Sequence, residues 1–123
     1  MTPREKIIVT VGDFDPPLID SLRFLTQCKE LGDWLIVGVH SDMYLHLKKG
    51  YSLNHYEERF ELVQSLKCVD EVFNFNDGDG TACNLLKIVK LCYPQAVITF
   101  VSNSDMADRP EKKIRGINFE VIK

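Results

Sequence analysis

The segment Gly12-Asp13-Phe14-Asp15-Pro16-Pro17-Leu18-Ile19-Asp20-Ser21 places three carboxylates, Asp13, Asp15 and Asp20, within one turn-rich stretch. Carboxylates and phosphate together bind Mg²⁺ well. Without a metal the same acids repel phosphate: a carboxylate about 5 Å from one phosphate charge costs about 3 kcal/mol at an effective dielectric of about 20. Lys48, Lys49 and Arg59 are the cations suited to an anion, the lysines as point charges and the arginine as a planar fork. Taken alone, these three also fit a solvated lysine pair and an arginine paired with Glu57 or Glu58 on a polar helix face. Asp20 also fits the first turn of a helix, where the macrodipole favours an acid. His40, His46 and His55 are the only histidines, and none lies in the 12–21 segment. Cys28, Cys68, Cys83 and Cys92 form no CxxC and no Cys–His knuckle, so they read as reduced, mostly buried thiols.

The elements that must position these groups alternate regularly. Lys6 to Val11 is a β-branched apolar run stopped by Gly12, a buried strand. Leu18, Ile19, Leu22, Leu25, Cys28 and Leu31 have helical spacing and end at Gly32. Asp33 to Val39 reads as a second buried strand, and Ser41 to Ser52 as a polar loop. Asn54 with Glu57 three positions later opens a helix that puts Tyr56, Phe60, Val63 and Leu66 on one face. Cys68 to Phe75 is a third strand, broken at Asp77-Gly78-Asp79-Gly80. Thr81 is placed to cap a helix that Tyr93-Pro94 closes. Ala96 to Val101 is a fourth strand, Ser102 to Arg115 a polar stretch, and Ile117 to Ile122 a fifth strand. This order predicts an α/β fold: a Rossmann-like three-layer α/β/α unit with a five-stranded, mainly parallel sheet. Ligands then sit beyond the carboxyl ends of the strands, at loops 12–18, 40–53, 76–81 and 102–110.

At 123 residues there is room for one domain, spanning 1–123. Apolar residues at 45% and charged residues at 27% match an ordinary soluble globular protein, and the net charge of −3 argues against a nucleic-acid partner. No stretch approaches a membrane span, and no secretory signal precedes Lys6, so the expected location is cytoplasmic. Asp13 and Asp15 after the first strand, Asp77 after the third and Lys123 ending the fifth also fit a phosphorylatable receiver-like domain.

Gly12, Phe14 and Asp15 fall in register with the motif G-x-F-D-x-x-H-x-G-H, and on these residues the chain resembles the cytidylyltransferase-like nucleotidyltransferases. Phe24 to Val39 followed by Ser41-Asp42 resembles that family's first helix and second strand. Tyr56-Glu57-Glu58-Arg59 with Val69-Asp70-Glu71-Val72 is similar to its next helix and strand. Asn76 to Cys83 is most similar to the small bacteriophage members, which extends the expected location to a bacterial or phage-infected cell. The resemblance covers most of residues 6–101. It implies a nucleotide site for CTP or ATP at Gly12, Phe14, Asp15, Lys48, Lys49, Arg59 and Asp105, with Mg²⁺ if the protein is active. It also implies a homodimer to which Trp34 or the 54–67 helix contributes.

The departures are as informative. Leu18, Asp20 and Ser21 stand where the family has His, Gly and His, the residues that hold the triphosphate and stabilise the leaving pyrophosphate. Met106 stands where the phage-type N-G-G-D-R run has Arg, although Asp105 and Pro110-Glu111 keep the pattern and Arg109 lies nearby. The chain ends at Lys123, before the position of the family's Ser/Thr-rich C-terminal motif. Each donor aimed at transition-state charge contributes roughly 2.7–4 kcal/mol. The expectation from sequence is therefore a degenerate fold member that binds a protein or small ligand. The alternative is an active Mg²⁺-dependent enzyme that moves CMP or AMP from a nucleoside triphosphate onto a phosphorylated small molecule.

Overall fold

β-Branched and aliphatic runs build the sheet in the computed structural model, which describes residues 5–104 and 108–122. The strands are β1 (Lys6–Gly12), β2 (Trp34–Val39), β3 (Glu71–Phe73), β4 (Val97–Ser102) and β5 (Ile117–Val121). They form one five-stranded sheet in the order β3-β2-β1-β4-β5, and every pairing is parallel. Helices α1 (Ile19–Glu30), α2 (Asp42–Lys49), α3 (Tyr56–Gln64) and α4 (Cys83–Cys92) connect them, with a 3-10 turn at Pro110–Lys113.

Side-chain alternation along the strands divides the core in two. Ile7, Val9, Ile36, Ile98 and Phe100 pack against Leu85, Leu86 and Val89 of α4. Ile8, Leu35, Val37, Val39 and Val101 face the other way, onto Leu25 and Cys28 of α1 and Val63 of α3. Both faces of the sheet are therefore covered, as a parallel sheet requires. The strand order is that of a Rossmann half and differs from the 2-1-3-4-5 order of receiver-like folds, so the receiver alternative is excluded. The chain leaves β1 toward β2 on one side, and the later strands lie on the other. The ligand crevice is thus expected outside the carboxyl ends of β1 and β4.

Several local expectations are corrected. The 41–52 segment is no loop: it contains α2, whose N-terminus is capped by Ser41 Oγ accepting from the Tyr44 amide. Gly50 ends that helix at φ 86°, a left-handed conformation that favours glycine. Its short length and mostly polar surface hid it, because only Leu45 is buried. Asn54 does not cap α3; that position is His55, without a side-chain bond, while Asn54 is held by Asp15. The third strand is limited to Glu71–Phe73. The cysteines are all free, but only Cys28 is buried, Cys68 and Cys83 are half-buried, and Cys92 is exposed. Burial pushes the Cys28 thiol up to about 12, so it is an inert core group.

Gly38 in β2 marks the tightest contact of the α4 face. A Cβ there would lie 2.6 Å from Leu85 Cδ2 and 2.7 Å from Phe75 Cε1. Gly38→Ala is expected to lower stability by about 1–3 kcal/mol through overpacking. Urea denaturation should show a lower midpoint with an unchanged slope; an unchanged midpoint would contradict this packing.

Candidate functional site

The β1–α1 loop folds on itself. Phe14 adopts φ 52°, a strained conformation for a bulky residue, and its ring lies against Gly12. A Cβ on Gly12 would sit 2.7 Å from Phe14 Cζ, so glycine is required by close approach. Asp15 locks this turn: its buried carboxylate accepts from the amides of Leu53 and Asn54, each at 2.7 Å, and pairs with Lys49 at 3.1 Å. Burial works to raise the Asp15 pKa, but the two amides and Lys49 outweigh it and hold the carboxyl below its ordinary value.

Arg59 is 1% exposed, and it is absent from the residues lining the cleft beside it. Its guanidinium donates to the carbonyls of Asn54, Asp13 and His40 and to Asp42 Oδ1, at 3.0, 2.8, 2.7 and 2.8 Å. It ties the exits of β1 and β2 to the segment before α3.

A cleft of about 770 Å³ opens where the topology places it, outside β1 and β4. That is within the size range of small-ligand sites, roughly 300–1,000 Å³. Of the residues expected from sequence, it is lined by Gly12, Phe14, Asp15, Asp20, Ser21, Lys48 and Lys49. Arg59 and Leu18 are not among its walls. Leu18 is 62% exposed at the N-cap of α1 and makes no side-chain cap bond. Asp20 is paired only with exposed Arg23 at 3.9 Å, a contact of little energy. Lys48 reaches Asp13 at 2.9 Å, and this hydrogen bond raises its pKa, keeping it fully charged. Asp105 and Met106 lie outside the described residues.

The walls also include Ser102 and His40, to which sequence reasoning gave no role, and Arg109, noted there only as lying near Met106. Arg109 is aimed by Glu111, fully buried, which accepts from Arg109 Nη2 at 2.7 Å and from the Ala82 amide at 3.0 Å. Burial works to raise the Glu111 pKa, and Arg109 with the Ala82 amide lowers it below its usual value. The Pro110-Glu111 pair singled out in the sequence thus anchors both α4 and a cleft guanidinium. His40 is bound to Asp77, an acid whose place after the third strand had suggested only a receiver-like pattern.

Among the described residues no group of three or more His, Cys, Asp or Glu side chains is arranged to hold a metal ion. Among the described residues no helix is long and apolar enough to cross a membrane.

The strand order and the cleft at its switch point place the molecule among α/β proteins of Rossmann type. Its residues 9–121 match the cytidylyltransferase-like family model, and the chain belongs to that family. FAD synthase from Thermococcus sibiricus is 39% identical over 127 aligned residues, covering 100% of this chain and 83% of that protein. Ethanolamine-phosphate cytidylyltransferase from Dictyostelium discoideum is 42% identical over 57% of this chain and 20% of that protein. A lipopolysaccharide core biosynthesis protein from Thermoplasma volcanium shares the fold, with TM-score 0.73 at 22% identity, over 98% of this chain and 97% of that one.

The separation between structural and solvent-facing cations is testable. Arg59→Met is expected to destabilise by about 3–5 kcal/mol, because Asp42 and three carbonyls lose their donor. Lys48→Ala, at a solvent-facing position, should change stability by no more than about 0.5–1 kcal/mol. Equal losses for the two variants in denaturant unfolding would overturn this assignment.

Proposed function

We propose that the chain is a nucleotidyltransferase that binds a nucleoside triphosphate, CTP or ATP, in the 770 Å³ cleft and passes CMP or AMP to a phosphorylated small molecule. The observation that carries this reading is the cleft itself, at the switch point and flanked by Lys48, Lys49 and Arg109. The names of the 39% and 42% identical relatives, FAD synthase and ethanolamine-phosphate cytidylyltransferase, weigh in the same direction. They favour transfer over the loss of chemistry expected from the altered motif. In the reaction an oxygen of the acceptor phosphate attacks the α-phosphorus and the bond to pyrophosphate breaks. Lys48 and Arg109 offer positive charge to the phosphates, and Ser21 offers a hydroxyl at the α1 N-terminus. Mg²⁺ accompanying the triphosphate would neutralise part of its charge. With leucine and serine in place of two imidazoles, turnover is slow.

A second reading, binding without transfer, rests on Leu18 and Ile19. They are 62% and 58% exposed at the start of α1 and present aliphatic surface beside the cleft. Such a surface suits a protein partner or a second copy of this chain.

Thermal unfolding with CTP and ATP, with and without Mg²⁺, tests nucleotide binding. Ligand at one hundred times its Kd stabilises the fold by about 2.7 kcal/mol, so the right nucleotide should raise Tm clearly. Millimolar nucleotide that leaves Tm unchanged would sink the enzyme reading. Pyrophosphate release with a panel of phosphorylated acceptors, ethanolamine phosphate among them, then separates transfer from binding alone. The variant Leu18→His with Asp20→Gly and Ser21→His restores two donors and removes a carboxylate. It should strengthen triphosphate binding by about tenfold or more, roughly 1.4 kcal/mol. Unchanged affinity by calorimetry would show that the triphosphate does not lie at the α1 N-terminus.

A further inference from the structure

His40 is the one histidine among the walls of the cleft, which it shares with Ser21, Lys48 and Arg109. Its placement is unusually well fixed. The backbone amide donates to the Gly12 carbonyl at 3.1 Å, and the backbone carbonyl accepts from Arg59 at 2.7 Å. The ring stacks on Tyr44 with centroids 3.7 Å apart and planes 8° from parallel. Ring Nδ1 lies 3.0 Å from Asp77 Oδ2. Asp77 is itself fixed by the amide and hydroxyl of Ser41, at 2.8 and 2.7 Å. Burial works to raise the Asp77 pKa, and the Ser41 and His40 bonds lower it overall, so the carboxylate is ionised at neutral pH. An ionised carboxylate only accepts, which assigns the proton to Nδ1. Nε2 is then the ring's remaining functional atom, and no hydrogen bond to it is formed within the described residues.

We propose that His40, oriented by Asp77, contacts a phosphate oxygen of the bound nucleotide through Nε2 and takes up a proton as it does so, supplying an imidazolium that the altered motif at Leu18 and Ser21 lacks. The assignment rests on the nucleotide-binding reading above. His40 is the contacting residue and Asp77 a positioning residue.

The charge balance around the ring sets the sign. Asp77 on the β3–α4 loop and Asp13 on the β1–α1 loop favour the imidazolium, and Lys48 of α2 opposes it. Tyr44 of α2 stacks on the ring, and Arg59 of α3 engages only the His40 backbone. Burial outweighs the acids and lowers the His40 pKa below its ordinary 6.5, so the free protein holds a neutral ring at pH 7. A polyphosphate bound in the cleft adds negative charge near the ring. The ring pKa then rises, and a proton is drawn from solvent onto Nε2.

The test is calorimetry of CTP and ATP binding, with Mg²⁺, at pH 6 to 8 in buffers of differing ionisation enthalpy. Wild-type protein should take up about one proton per nucleotide near pH 7, and affinity should rise by up to about tenfold per pH unit as pH falls. His40→Gln, which keeps an amide donor for Asp77, should lose the proton uptake and the pH slope, with Tm reporting that it folds. Asp77→Asn should reduce both. A proton NMR titration of the wild-type His40 ring needs no variant: its pKa should move up when nucleotide is added. Nucleotide binding with an unmoved ring pKa, or with the same proton uptake in His40→Gln, overturns the proposal and leaves the nucleotide reading standing. No binding at any pH overturns the nucleotide reading, and this assignment with it.

Discussion

A buried guanidinium holds the ligand end of this fold together. Charge removed from water costs several kcal/mol unless it is paired and fully hydrogen-bonded. Arg59 meets that condition with Asp42 and with the carbonyls of Asp13, His40 and Asn54. Those partners come from three separate loops and the first residue of α2, so one side chain fixes the exits of β1 and β2 against the start of α3. Asp15 makes the complementary tie from the other side by accepting the amides of Leu53 and Asn54. Two oppositely charged groups, both removed from solvent, thus set the shape of the cleft before any ligand enters.

This changes what the shared motif residues mean. Gly12, Phe14, Asp15 and Arg59 read as a nucleotide site when only the family pattern is considered. In the structure Gly12 makes room for the Phe14 ring, while Asp15 and Arg59 bind backbone. Each of the four therefore has a part in folding the loop, and Gly12, Phe14 and Asp15 also line the cleft. Leu18, by contrast, is exposed and makes no cap bond. The parts of the motif that fold the loop and the parts that touch phosphate are separable, and a chain can keep the first while altering the second.

The sheet was legible because its signal is local and strong. Largely β-branched runs such as Ile7-Ile8-Val9 and Leu35-Ile36-Val37, bounded by glycine, favour buried parallel strands, and the order of elements then restricts the topology. α2 escaped because one buried leucine gives no periodicity, and its capping serine resembles any loop serine. The site was legible as a set of loops, not as a set of roles. Arg59 and Lys49 have the composition of anion ligands, and only their distances show that backbone carbonyls and Asp15 already engage them. His40 and Arg109 went unassigned for the converse reason: what makes each notable is a distant partner, Asp77 or the buried Glu111, that spacing does not reveal.

The arrangement of charge also gives the cleft a direction. The N-terminus of α1 carries a partial positive charge from its unsatisfied amides, and an anion would ordinarily be attracted there. Asp20 already occupies that first turn with its own carboxylate. Lys49 is largely neutralised by Asp15, and Lys48 is shared with Asp13. Arg109 is bonded through two nitrogens to Glu111 and through the third to Ser102 Oγ, yet like Lys48 it stays partly exposed on the wall. An incoming polyphosphate therefore finds attraction on the β4 and α2 sides and repulsion near Asp20. That polarity is the reverse of a site built on two motif imidazoles at the start of α1. It makes the β4 and β2 exits, where Arg109 and His40 sit, the wall best placed to meet an anion in this cleft.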